Sequence, residues 1–444
     1  MKRKIYSLVL FFGVLTAALL FTGCEVVPGP ETVTQKQMDA AIAEALAQAK
    51  ADWLAELASD ATLPQPAEPN IENIQIISTS GSNLLAASKA VLSAVSVYCK
   101  FEQTTQYRYG MSWRTETSPV QLAGSGVIYR LDKEKGDAYV ITNYHVVYYA
   151  TADTANHISD DISLFLYGQE AEQYAIPATY IGGSATYDIA VLKVTGSDVL
   201  RESAARQAEF ADSGDVAILD TAIAVGNPES NGLSATVGCV NVDSEYIEML
   251  SADKSATVQM RLMRIDTPVN SGNSGGGLFN DRGEVIGIVN AKLEDGTVDN
   301  IGYAIPSNIA RYVADNIIYY CDGTDRECVY RCLLGITVQV TASRAEYVTV
   351  SDDDRNVGRV KIVETVCVSE VQEGSLAGGV LQAGDEIRAI RIGDRAVEVT
   401  RMYQLIDFML NARVGDEVIV TVVRGGNTMD LRLTIGEANL TPYL

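Results

Sequence analysis

The densest glycine and serine cluster in the chain is Asn270-Ser271-Gly272-Asn273-Ser274-Gly275-Gly276-Gly277. Glycine lets the backbone turn sharply and aim several N–H groups at one point. A serine set among such amides suits a nucleophile whose own loop holds the developing oxyanion. By itself the cluster reads equally as a flexible loop. A serine hydroxyl also needs a base beside it, and the chain has two histidines, His145 and His157. His157 falls in a polar stretch, 150–161, and reads as an exposed loop residue.

The run Tyr139-Val140-Ile141-Thr142-Asn143-Tyr144-His145-Val146-Val147 sets His145 just past a β-type segment, in a polar turn closed by apolar residues. Such a histidine is commonly structural. Tyr187-Asp188-Ile189-Ala190-Val191-Leu192-Lys193-Val194 supplies a carboxylate at the mouth of a strand, where it could fix an imidazole tautomer and stabilise its cation. The chain order is His145, Asp188, Ser274, with gaps of 43 and 86 residues. Short β-type runs at 92–97, 126–129, 138–142, 189–194, 216–225 and 285–289 must position these groups. Many short strands separated by Gly, Asp and Asn turns predict barrels or sandwiches. No internal repeat is evident.

Five blocks then resemble the HtrA/Deg serine proteases in their order: Gly124-Ser125-Gly126-Val127-Ile128, Thr142 to Val147, Asp188 to Val194, Ala224-Val225-Gly226-Asn227-Pro228, and Gly272 to Gly276. Gly302-Tyr303-Ala304-Ile305-Pro306 adds a sixth. The resemblance runs from about Leu84 to the C-terminus. It implies a mainly β fold, a chymotrypsin-like double β-barrel with the triad in the cleft, over residues 84–325. It assigns Ser274 as nucleophile, His145 as general base and then acid, and Asp188 as its orienter. The amides of Gly272 and Ser274 would form the oxyanion hole, with Asn273 completing the turn. The position six before the serine, where related enzymes carry an acid that selects basic side chains, is Pro268. Small or medium aliphatic residues are therefore expected before the cut. Gly277 replaces a common proline, and 150–161 and 243–260 read as loops longer than the family's usual ones.

A composition break at Cys321–Cys332 precedes strands at 361–368 and 417–423 around a helical pattern at Met402–Leu410. Leu333-Leu334-Gly335-Ile336 resembles the carboxylate-binding loop of PDZ domains, and 368–377, 381–387 and 414–425 resemble that fold's core. The resemblance implies a PDZ domain over 330–437 that takes C-terminal peptides by β-augmentation, the amides of Leu334, Gly335 and Ile336 receiving the carboxylate. A domain that only packs on the protease is the alternative.

Lys2-Arg3-Lys4, an apolar run from Ile5 to Phe21 and Thr22-Gly23-Cys24 describe an export signal. The last three resemble a bacterial lipobox, which makes 1–23 a lipoprotein signal peptide and Cys24 the lipidated residue. An uncleaved membrane anchor is the alternative, and both place the chain in the cell envelope, tethered to a membrane. Residues 24–83 read as a linker after a helix whose stripe, Met38, Ile42, Leu46, Ala49, Trp53 and Leu57, suits a short coiled coil. That stripe and the family habit both point to a homotrimer. The remaining cysteines, Cys99, Cys239, Cys321, Cys328, Cys332 and Cys367, read as disulfides or free thiols. With two histidines and irregular cysteine spacing no metal site or cofactor is expected. Lys plus Arg is 34 against 57 Asp plus Glu, a net charge of −23, which argues against nucleic-acid partners.

Three function classes share these residues. A protease of unfolded or misfolded exported polypeptides keeps the triad and the chain-end reader together. A peptide-binding scaffold or holdase would have no use for all three triad residues, and an esterase would have none for a PDZ domain.

Overall fold

The computed structural model describes residues 79–109, 112–154, 156–290, 301–352 and 355–443. These lie in one compact unit, Ile76–Leu444. The signal peptide, Cys24 and the stripe from Met38 to Leu57 lie outside the described residues. Among those described, no helix is long and apolar enough to cross a membrane.

After helix α1 (Thr79–Val91), six strands follow: β1 (Ala94–Tyr109), β2 (Ser112–Asp132), β3 (Asp137–Thr142), β4 (Asp161–Phe165), β5 (Ile176–Ser184) and β6 (Ile189–Val194). They close into a barrel in the order β1-β2-β3-β6-β5-β4. Alternation builds it. Val95, Val97, Cys99 and Phe101 of β1 are all buried, with Lys100 and Glu102 outside, the period-two pattern of a half-buried strand.

Six more strands are β7 (Thr221–Gly226), β8 (Ser234–Leu250), β9 (Thr257–Ile265), β10 (Gly277–Phe279), β11 (Val285–Asn290) and β12 (Gly302–Pro306). Their barrel runs β7-β8-β9-β12-β11-β10, the same winding as the first. The duplication invisible in the residues is therefore present in the topology. Segment 243–260, expected as a loop, is instead the outer half of the β8–β9 hairpin. Tyr246, Ile247 and Met249 facing Arg261, Met260 and Val258 give it strand character. His157 differs as well: it is half-buried, its Nδ1 lies 3.0 Å from the Ala152 carbonyl, and its ring meets Tyr148 edge-on.

Helix α2 (Ser307–Cys321) leads to β13 (Val329–Cys332). A second sheet follows, from β14 (Ile336–Asp352), β15 (Arg355–Val371), β16 (Glu386–Ile392), β17 (Arg395–Glu398), β18 (Glu417–Arg424) and β19 (Asn427–Thr434), with helix α3 (Met402–Phe408) packed on it. Its order is β14-β15-β16-β18-β19, so β14 is an edge strand. The chain returns as β20 (Leu440–Tyr443), which pairs with β13. Arg261 of β9 ion-pairs with Asp407 of α3, both side chains almost fully buried. Arg401 reaches Asp243 at 3.1 Å, and Lys361 reaches Asp215 at 2.7 Å. These contacts seat the C-terminal sheet on the second barrel.

Candidate active site

The three residues whose order suggested chemistry sit at strand ends and in a loop of the two barrels, His145 and Asp188 in the first and Ser274 before β10 of the second. Asn143 stands directly after β3 and before the helical turn Tyr144–Val147, which puts His145 at the barrel's end. Asp188 immediately precedes β6 and holds φ at +49°, a left-handed conformation that a non-glycine residue keeps only where its surroundings enforce it. The enforcing contacts are on hand. The Asp188 carbonyl accepts from Asn143 Nδ2 at 2.7 Å. Its Oδ1 accepts from the His145 backbone N–H at 3.0 Å, and its Oδ2 lies 2.7 Å from His145 Nδ1. With only 3% of its side chain exposed, this carboxylate holds the imidazole by ring and backbone at once.

Asn290, at the end of β11, also donates to Asp188 Oδ2, at 3.0 Å. Its side chain comes from the second barrel, so the carboxylate is gripped from both sides of the cleft. Sequence reasoning missed Asn290, and the polar residue closing an otherwise apolar run, Val285 to Asn290, was the available signal.

Ser274 is buried in the loop before β10. Ser125 fastens that loop to the first barrel. Its N–H donates to the Ser274 carbonyl at 2.8 Å, and its hydroxyl donates to the Gly272 carbonyl at 2.7 Å. The hydroxyl in turn accepts from the Asn227 N–H at 2.8 Å, while the Ser125 carbonyl accepts from Thr142 Oγ1 at 2.7 Å. Ser125 lies within the Gly124–Ile128 block, whose local sequence carries no signal of this bridging role. Gly275, at φ +83°, approaches so closely that a Cβ would stand 2.3 Å from the Ser125 carbonyl and 2.9 Å from the Asn143 N–H nitrogen. The serine loop thus lies against the residues that lead into His145. Gly272 has φ +97°, and a Cβ there would stand 2.2 Å from the Asn227 carbonyl. The Asn273 N–H donates to the Asn270 carbonyl at 3.0 Å, which closes the turn.

Residues 124–288 match the trypsin-like peptidase domain. The chain is 33% identical to the serine protease Do-like HtrA of Lactococcus lactis subsp. lactis, over 74% of this chain and 75% of that one. It belongs to the Do-like HtrA serine protease family. Two further relatives are the Do-like HtrA of Bacillus subtilis, 29% identical over 71% of this chain and 64% of that one, and the periplasmic endoprotease DegQ of Escherichia coli, 30% identical over 71% and 60%. Among solved structures, the HtrA-type protease AlgW with a tripeptide is 24% identical, covers 81% of this chain and 97% of its own, and has a TM-score of 0.46. The HtrA chain described here is a serine endopeptidase with a trypsin-like fold.

The remaining expected residues lie elsewhere. Gly335 turns at φ +75° ahead of the edge strand β14. Its carbonyl accepts from the Gln372 N–H at 2.8 Å, and the Leu334 carbonyl accepts from the Ala377 N–H at 2.9 Å. The Leu334 and Gly335 carbonyls therefore turn toward segment 372–377. Pro268 is exposed, and its carbonyl accepts from Thr236 Oγ1. The cysteines from Cys99 onward are free thiols, and burial pushes the Cys99 thiol up to about 12. No group of three metal-ligating side chains occurs among the described residues.

Proposed function

We propose that this HtrA protease cleaves unfolded or misfolded exported polypeptides in the cell envelope, with Ser274, His145 and Asp188 as its triad. The observation that supports this most is the buried Asp188 carboxylate, bonded to both the ring and the backbone of His145. With Nδ1–H donating to Asp188, the imidazole presents neutral Nε2 to the Ser274 hydroxyl. Ser274 Oγ attacks the scissile carbonyl as His145 takes its proton. The amides of Gly272 and Ser274 receive the oxyanion, and His145 returns the proton to the leaving amine. Water then releases the acyl-enzyme by the same route. With Pro268 in the position that selects charge in related enzymes, small or medium aliphatic side chains precede the cut.

The C-terminal sheet acts as a PDZ domain. A C-terminal peptide adds to the edge strand β14, and the amides of Leu334, Gly335 and Ile336 cradle its carboxylate. Cys24 carries the lipid that tethers the mature chain to a membrane, and the protomers assemble as trimers. Periplasmic DegQ among the relatives supports the envelope setting.

The deciding experiment is a timed digestion of an unstructured protein by the purified full chain beside Ser274→Ala. Cleavage by the parent alone, with fragment ends after aliphatic residues, is expected. Equal cleavage by Ser274→Ala would refute the assigned nucleophile, and ends after Lys or Arg would refute the pocket.

A further inference from the structure

We infer that Tyr443 and Arg331, on the paired strands β20 and β13, are positioning residues for Asp188 and act through Tyr187. The inference rests on the reading of Asp188 as the residue that orients His145. Asp188 occupies the left-handed region, at φ +49°, so its conformation has to be imposed by its neighbours. From the first barrel Asn143 holds its carbonyl. The preceding segment, 184–187, is held from outside that barrel. The Ala252 N–H, at the turn between β8 and β9, donates to the Ala185 carbonyl at 2.8 Å. Tyr187, covalently next to Asp188, packs its ring against Tyr443 with centroids 5.6 Å apart.

Tyr443 is itself fixed. The Arg331 guanidinium lies 3.5 Å from the centroid of its ring, a cation–π contact. Register pairs Val329 with Tyr443 and Arg331 with Thr441. The Arg331 charge also faces the Tyr187 phenol, where it opposes the upward shift that burial causes. Just before β13, the Glu327 carbonyl accepts from the Gly183 N–H at 2.9 Å, and Cys328 bridges Gly183. Strands β13 and β20 therefore lie along the segment that delivers Asp188.

These two strands are also where the chain passes into the C-terminal sheet and out of it. Tyr443 contacts Tyr187, Arg331 and Val329, so in this reading it acts on Asp188 and not on the substrate. Its loss should therefore appear in kcat and leave KM unchanged.

The test uses the full chain with a fluorogenic peptide, comparing parent, Ser274→Ala, Tyr443→Ala, Tyr443→Phe and Arg331→Met, with active-site titration by a serine-directed phosphonate. Tyr443→Ala and Arg331→Met should each lower kcat about tenfold with KM within twofold and with the full count of titratable sites. Tyr443→Phe, which keeps the ring, should recover the parent value. A parent kcat in Tyr443→Ala, a loss that merely tracks lost titratable sites, or no recovery in Tyr443→Phe would overturn the inference. If Tyr443→Ala does not fold by circular dichroism, Tyr443→Leu keeps the strand's apolar character without an aromatic face, and the same thresholds apply. Activity surviving in Ser274→Ala would instead break the triad reading, a separate outcome.

Discussion

Asn290→Ala isolates the amide that reaches Asp188 across the cleft. Among the described residues the carboxylate meets three groups: His145 Nδ1 at 2.7 Å and Asn290 Nδ2 at 3.0 Å on Oδ2, and the His145 N–H at 3.0 Å on Oδ1. A hydrogen bond to a buried charged group is worth about 1.5–3 kcal/mol. Part of that is felt before reaction, as lost stability. In the proposed mechanism the part felt in the transition state, where His145 becomes a cation and leans on Oδ2, sets the rate. With about half of the upper figure expressed there, or about 1.4 kcal/mol, kcat falls about tenfold. KM stays within twofold, since Asn290 faces the carboxylate and not the substrate. Kinetics on a fluorogenic peptide measure both kcat and KM. A kcat within twofold of the parent would refute the reasoning. Asn290→Ser, which retains a short donor, should fall between the two.

Two further perturbations address the seating and stability of the C-terminal sheet. Removing one partner of the buried Arg261–Asp407 pair strands a charge and costs about 3–5 kcal/mol, whereas Arg261→Met with Asp407→Leu restores much of the loss. Thermal melts together with limited proteolysis between the second barrel and the sheet read this out, and single variants that melt with the parent would refute it. Asp385 is buried beneath Arg424, with both guanidinium contacts at 2.6 Å, and also accepts from the Gln382 N–H at 2.9 Å. The Arg424 bonds hold its carboxyl below the usual aspartate value. A folded value lower than the unfolded one stabilises fully above about pH 3.9 and loses that stabilisation as pH falls through the folded value. Asp385→Asn should therefore lower stability by about 2 kcal/mol at neutral pH, with the gap to the parent closing below about pH 4. A gap that is constant with pH would show that the carboxylate charge is not the source.

The candidate triad was legible because each member sits inside a short local pattern: a strand end for His145, a strand mouth for Asp188, a glycine turn for Ser274. The barrels' common winding was not legible, because it resides in which strands pair and not in which residues recur. Segment 243–260 misled for a related reason. Its alternation is interrupted by Asp243, Ser244 and Glu245, and the register shifts between Val242 and Glu245, so a bulged hairpin looks like a loop. Ser125 and Asn290 escaped because their partners stand 147 and 102 residues away, at Gly272 and Asp188. No local window contains both ends of either bond.

Those two long-range bonds also explain why the site needs two barrels. His145 and Asp188 belong to the first, while Ser274 and Asn290 belong to the second. Ser125 carries the serine loop onto the first barrel, and Asn290 carries the second barrel's amide onto the first barrel's carboxylate. These contacts between the barrels thus also align the members of the proposed triad. A change that opens the cleft slightly therefore loosens Asp188 and the Ser274 loop together. Its kinetic signature is a loss in kcat that is less than additive across Ser125→Ala and Asn290→Ala, because both variants release one shared alignment.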